Sequence, residues 1–481
     1  MRRMSVLSRH TMLQRPLLSV GLSLALMAGI ASCTGGDTDA PDTNSSKAPA
    51  DRRILGERLA GESLRLGDRD PRRSVALALE AAGLAQGPKV TVALNRLRSP
   101  HPFTRLALGP AEVSALDYSD DGRFLIGGDT EGRVRVWDTY TGGERLSARA
   151  GGAVTEVALS YGGKYAAARS SQGGVQVWDL RRGRIVRTFA DAPGRAVGLI
   201  FINDVKALAF GGPDGTVQVW GVEPWSRRST VRPAGGSAAI TSFFGQESSV
   251  FATVSPRGII DVWDPADGRR LATTRVPGHR AHTTGPYHLR SGPDDPSVVS
   301  TGHDTWAMWL RSLIHEGGMG QEPRLVARST SPASIVYGTI VAPDPARTRA
   351  ELWSVTGIHQ AGDTKINHLY SASVGSPGHR VTALVVPRQP NSTLSGVGAP
   401  PAPLPAALAL SDGSVTLWDL SNSPPLSPGT KAAKDALLQL CSATPLILTR
   451  EEWKQLIPEL PYAPACIEVM KKREGELNES P

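Results

Sequence analysis

The sequence predicts an all-β protein built from seven copies of one unit, and three observations carry that expectation. Tryptophan recurs as Trp137, Trp178, Trp220, Trp263, Trp309, Trp353 and Trp418, with gaps of 41, 42, 43, 46, 44 and 65 residues. Each closes a short alternating segment, and five of the seven have Gly five residues upstream, as a tight hairpin with positive φ requires. The composition agrees: 51 Gly and 37 Pro beside 5% aromatic residues suit a turn-rich sheet protein better than a helical one.

The first fifty residues stand apart from this pattern. Residues 1–32 hold Arg2, Arg3, Arg9 and Arg15 and no acid, so their removal lowers the formal charge from +8 to +4. The apolar run at 17–30 is too short for a mature membrane span but of signal-peptide length. Ile30-Ala31-Ser32-Cys33 resembles the bacterial lipobox, in which the cysteine is lipidated and becomes the first mature residue. That resemblance implies a signal at 1–32, a lipid on Cys33, and an address on the extracytoplasmic face of the cell membrane. Residues 33–50 contain no large apolar side chain and read as a flexible tether. A plain cleaved signal and an uncleaved anchor are the alternatives.

Residues 51–98 read as two or three helices. Ile54, Leu55, Leu59 and Leu64 fall near helical spacing. Asp70-Pro71 forms an N-cap followed by proline at the first helical position, and Val75, Leu77, Ala78, Leu79 and Ala82 supply an apolar face. Gly87-Pro88 opens a third short helix.

The repeats follow as GRVRVWD at 132–138, GGVQVWD at 173–179, GTVQVWG at 215–221 and GIIDVWD at 258–264. Fainter copies are DTWAMWL at 304–310 and RAELWSV at 349–355, and GSVTLWD at 413–419 ends the series. In the first copy, residues 113–118, 123–128 and 134–137 alternate as strands between Asp/Gly turns. Seven such segments in register resemble the WD-repeat family over residues 103–420. The resemblance implies a seven-bladed β-propeller with four strands per blade.

The last gap is long because residues 387–405 are a proline-rich insertion without period, placed in a surface hairpin of the seventh repeat. The chain after Asp419 is poor strand sequence, whereas 103–108 has strand character and no blade of its own. In the family such an N-terminal strand completes the last blade. A complete family repeat also carries Gly-His at its start and Asp six residues before Trp, supporting a buried His–Ser/Thr–Asp–Trp network. Asp holds that place only as Asp214 and Asp412, and Gly-His occurs as Gly278-His279 and Gly378-His379. Only the seventh repeat is therefore expected to build the network, from His379, Ser411, Asp412 and Trp418. All these residues read as structural.

Residues 434–466 form a short helical tail. Thr449-Arg450-Glu451-Glu452 has the form of a capping box. The stretch from Cys441 through the Trp453 helix to Pro461-Tyr462 and Cys466 resembles the ending of many bacterial WD-repeat proteins. In an exported chain Cys441 and Cys466 are the two cysteines left to pair, which would add roughly 3 kcal/mol; two free thiols are the alternative.

No catalytic constellation is present: GxSxG, HExxH, the phosphate-binding GxxxxGK[ST] and the kinase set are all missing from the sequence. No CxxC pair or Cys/His cluster has metal spacing, so neither metal nor cofactor is expected. The cations are interspersed with acids, which argues against nucleic acid. The expected function is a membrane-anchored, non-catalytic scaffold for protein partners. An envelope enzyme or small-ligand binder using the central channel, or the ectodomain of a membrane signalling protein, are the competing expectations.

Overall fold

A computed structural model of the chain describes residues 49–467 except 140, 191–197, 203–205, 213–214, 235, 237–238, 245–248, 277–287, 291–296, 301–303, 309–323, 328–332, 337–338, 357–364, 375–377, 388–404, 427–436, 439 and 442–445. All described residues belong to the compact unit that begins at Ala48. The expected signal, Cys33, the tether up to residue 48, Trp309, Asp214, the pair Gly278-His279 and most of the proline-rich insertion lie outside them.

Seven four-stranded antiparallel sheets form the expected β-propeller. Blade one comprises Val113–Tyr118, Phe124–Asp129, Arg133–Asp138 and Glu144–Arg149. Blade two comprises Val154–Leu159, Tyr165–Ser170, Val175–Asp179 and Arg184–Phe189. Blade three comprises Leu199–Ile202, Ala207–Gly211, Val217–Gly221 and Ser226–Val231. Blade four comprises Ala239–Phe244, Ser249–Val254, Ile259–Trp263 and Arg270–Arg275. Blade five has the short strands His288–Arg290, Ser297–Ser300, Thr305–Met308 and Arg324–Ala327. Blade six comprises Ser334–Val336, Thr339–Pro343, Arg349–Thr356 and Lys365–Ser373.

Blade seven draws three strands from the C-terminal side of the ring, Val381–Val385, Pro405–Leu410 and Ser414–Asp419. Its outer strand is His101–Ala107, which pairs antiparallel to Ser414–Asp419 with Leu106 opposite Val415. The two ends of the ring are thereby joined by a β-ladder, and blade seven's outer edge is supplied from the N-terminal side.

The turn chemistry follows the sequence closely. Gly132, Gly173, Gly215, Gly258 and Gly413 have φ of 84°, 91°, 79°, 70° and 82°. The sixth blade lacks this glycine, and there Arg347 takes φ 59°. A left-handed backbone costs an L-residue about 1–2 kcal/mol, part of which glycine returns through its freer unfolded chain. Arg347→Gly is therefore expected to raise the unfolding free energy by about 0.5–1 kcal/mol, read from the denaturant midpoint. Its backbone partners, Asp344 and Val381, are unaffected by the change.

The N-terminal helices are α1 (Pro49–Leu66), α2 (Pro71–Leu84) and α3 (Pro88–Arg96). The Asp70 carboxylate accepts from the Arg73 N–H at 3.2 Å, capping α2 as the sequence suggests. Leu59, Leu77, Leu79 and Leu94 enter one apolar core with Leu106 and Leu417 of blade seven and with Leu448, Trp453 and Ile457 of the tail. Helix α4 (Arg450–Leu456) starts with the expected reciprocal box: the Glu452 N–H donates to Thr449 Oγ1 at 3.2 Å, and the Thr449 N–H donates to the Glu452 carboxylate at 2.8 Å. Helices and tail thus cover the ring where it closes.

Candidate functional site

The six described repeat tryptophans lie in the third strands of their blades, as their spacing suggests, and serve packing; Trp309 lies outside the described residues. Trp137, Trp178 and Trp263 are buried; Trp220, Trp353 and Trp418 are half-buried against neighbouring strands. Blade five places Trp306 in the strand itself.

The hydrogen-bond network expected in blade seven is not closed. Asp412 accepts from both the backbone N–H and the hydroxyl of Ser414, so its carboxylate is spent on its own turn. Burial pushes that carboxyl up, but the Ser414 bonds and nearby His379 hold it below its usual value. Ser411 Oγ accepts from the Arg380 N–H, and the buried Trp418 indole N–H makes no hydrogen bond among the described residues. Blade four, without the family Asp, does satisfy its indole: Trp263 Nε1 donates to buried Thr253 Oγ1 at 3.0 Å.

Two polar arrangements escaped the sequence reading. The first locks blade two to blade three. Glu156 on the inner strand stands directly opposite Arg169 on the next, and the two side chains pair at 3.0 Å. Arg169 also donates to the Gly211 carbonyl at 2.7 Å, and Glu156 accepts from the Gly198 N–H, both in blade three. Burial pushes the Glu156 carboxyl up against the opposing pull of Arg169 and the Gly198 N–H.

The second arrangement lies in the tail. Glu80, 2% exposed on α2, accepts from the Ala465 N–H at 2.9 Å through one oxygen, while the other has no hydrogen-bond partner among the described residues. Burial raises its pKa to about 7 against the lowering effect of that bond. Gly83 permits the approach, because a Cβ there would stand 2.8 Å from the Ala465 methyl. Next to Ala465, Cys466 is disulfide-bonded to Cys441, with Cα atoms 5.2 Å apart and both residues buried. The tail is thus tied to itself and pressed onto α2.

Two features mark the outer surface. Arg133, Arg135, Ser147, Ala148 and Arg149 line a depression of about 380 Å³ on blade one. Its cations are largely answered by acids: Arg133 pairs with Asp129 and Glu131, and Arg135 pairs with Glu144. Between blades two and three, Trp225 packs edge-on against Tyr165 and Phe189 at 6.0 and 6.1 Å, and the Arg187 guanidinium lies over Phe189 and Trp220. Lys164 bonds Glu223 at 2.9 Å, and with the Tyr165 hydroxyl it holds that carboxyl below its usual value.

Among the described residues no three His, Cys, Asp or Glu side chains are placed to hold a metal ion, and no helix is long and apolar enough to cross a membrane.

Comparison with known proteins places these features in a family context. The model of the WD domain, G-beta repeat, matches residues 104–138, which take in the second half of the closing strand and the first three strands of blade one. The APC/C activator protein CDC20 of Saccharomyces cerevisiae is 32% identical over 109 residues, 22% of this chain and 18% of that protein. WD repeat-containing protein 36 of Homo sapiens is 27% identical over 207 residues, 42% of this chain and 22% of that protein. NAD(+) hydrolase ApTIR of an Actinoplanes species is 35% identical over 85 residues, 18% of this chain and 12% of that protein. The chain thus spans about a fifth or less of the length of these relatives. By fold and by sequence, the chain is a seven-bladed β-propeller that carries a WD, G-beta repeat at residues 104–138 and is similar to WD-repeat proteins.

Proposed function

We propose that the protein is an exported lipoprotein, anchored through Cys33 on the extracytoplasmic face of the cell membrane, whose propeller is a non-catalytic scaffold for protein partners. The scaffold role follows from the ring. Seven sheets packed blade on blade give a rigid frame, and loops at both faces are free to vary without disturbing it. An anchor would confine that frame and raise its effective concentration for other membrane-bound components.

The observation that carries the location is the buried Cys441–Cys466 bond, because such bonds persist in oxidising compartments and are rare where thiols are kept reduced. It supports export independently of Ile30-Ala31-Ser32-Cys33. Mass spectrometry of the mature N-terminus tests the reading. The expected product begins at an acylated Cys33; an intact segment 1–32 would replace it with an ectodomain on an uncleaved anchor.

A further inference from the structure

The cations of the propeller are not spread evenly through its blades. The seven outer strands hold ten Arg and Lys365 against a single carboxylate, Glu144. The two inner strands of all blades together hold Arg169 and Arg290 against Asp117, Asp129 and Glu156. The rim is therefore a basic belt. Charged edges alone keep strands from pairing with other chains, which accounts for cations in general. It does not account for the exposed aliphatic residues that accompany them, Ile185 on blade two and Leu325 on blade five.

The arc that also carries a tryptophan is the junction of blades two and three. Arg184 on blade two and Arg227 and Arg228 on blade three are exposed, and none of the three is in an ion pair among the described residues. Between them Ile185 is 47% exposed. Trp225, half-buried, sits in the turn that brings Arg227 and Arg228 to the rim, and its packing on Phe189 fixes that turn beside the outer strand of blade two. Cations around an exposed aliphatic side chain and a half-buried tryptophan match the composition of an interfacial membrane surface: the charges attract anionic headgroups and the apolar groups meet the headgroup boundary.

We propose that the rim of blades two and three docks edge-on to an anionic phospholipid surface through Arg184, Arg227, Arg228, Ile185 and Trp225. The location, though not the chemistry, rests on the anchored reading. Cys33 precedes Pro49 by sixteen residues, so the chain between them reaches at most about 55 Å, and an acyl group on Cys33 would hold the ring within that distance of the bilayer. An acidic protein partner would answer both the charges and the isoleucine; what favours lipid over it is the short tether, which would keep the rim close to the headgroups.

The test uses unacylated protein comprising residues 48–481, the unit that contains the whole closed ring with its covering helices. It is expected to sediment with phosphatidylglycerol vesicles, not with phosphatidylcholine vesicles, and to be released as salt screens the charges. The variant R227Q/R228Q is expected to lower the partition coefficient about twenty-five-fold, because each cation near such a surface contributes a factor of about five. R227K/R228K should retain it, I185S should weaken binding, and K365Q on blade six should leave it within about twofold. Thermal midpoints matching the parent protein establish that the variants fold. Equal binding to both vesicle types, no binding, or no loss in R227Q/R228Q overturns the proposal. Tighter retention on polyglutamate or duplex DNA than on vesicles at the same salt also overturns it, in favour of an acidic polymer. Because this protein lacks Cys33, its result is separate from acylation: an unacylated Cys33 with intact vesicle binding sinks only the anchor, and the reverse outcome sinks only the docking surface.

Discussion

Arg169→Met with Glu156 left in place is expected to lower the unfolding free energy by about 3–5 kcal/mol, read from urea unfolding followed by circular dichroism. The variant removes the pairing cation at 3.0 Å from a carboxylate that is itself only 14% exposed. The lost attraction is the smaller part of the effect. What remains is a charge without its counter-ion, and a Gly211 carbonyl that no longer receives a guanidinium N–H. Replacing both residues separates these contributions. In E156Q/R169M the amide oxygen still accepts the Gly198 N–H and no charge stays buried, so most of the loss should be recovered, to within about 1–2 kcal/mol of the parent. A double variant as unstable as R169M would show that the cost lies in the Gly211 contact, not in the charge pair.

This pair also marks where sequence reading stops. The ring was legible because five of the seven blades repeat one local grammar: alternating residues, a turn glycine at positive φ and a tryptophan at a fixed offset. That grammar specifies single blades, and even the two degenerate copies at blades five and six fold as four strands. Contacts between blades follow another logic. Glu156 and Arg169 lie thirteen residues apart, repeat nowhere else in register, and meet blade three through backbone groups that carry no sequence signal. One cue was available: a carboxylate and a guanidinium on the two inner strands, where nearly every other side chain is apolar or small.

The family network in blade seven failed for a related reason. The motif residues are present, yet Ser414 two positions after Asp412 offers both a backbone N–H and a hydroxyl at close range. A local partner outcompetes a distant indole because it costs less chain entropy to hold. Conversely, Trp263 found Thr253 across the strand pair, an arrangement set by β-register and absent from the motif. Offsets along the chain predicted the turns; the cross-strand partners depended on which residues the register brought opposite.

Glu80 carries the second large expectation, and its sign is fixed by the direction of the shift. An ordinary glutamate in the unfolded chain ionises near 4.5, whereas in the fold the pKa is about 7. Between those values the folded state holds a proton that the unfolded state has released, so stability falls as pH rises through the window and is level above it. The full difference is about 3 kcal/mol. Other groups titrate in the same range. His101, buried, has its pKa lowered by that burial against the attraction of Asp419, and so acts the opposite way, costing stability as pH falls below about 6.5. A pH profile of the parent alone therefore mixes both, and the informative quantity is the difference between parent and Glu80→Gln at each pH. The amide keeps an acceptor for the Ala465 N–H and carries no charge. At pH 5 the two proteins should differ by about 1 kcal/mol or less; at pH 8 the variant should be more stable by about 2–3 kcal/mol. Equal stability at both pH values would mean that the carboxylate is hydrated in the fold, and that α2 and the tail separate enough at neutral pH to admit water.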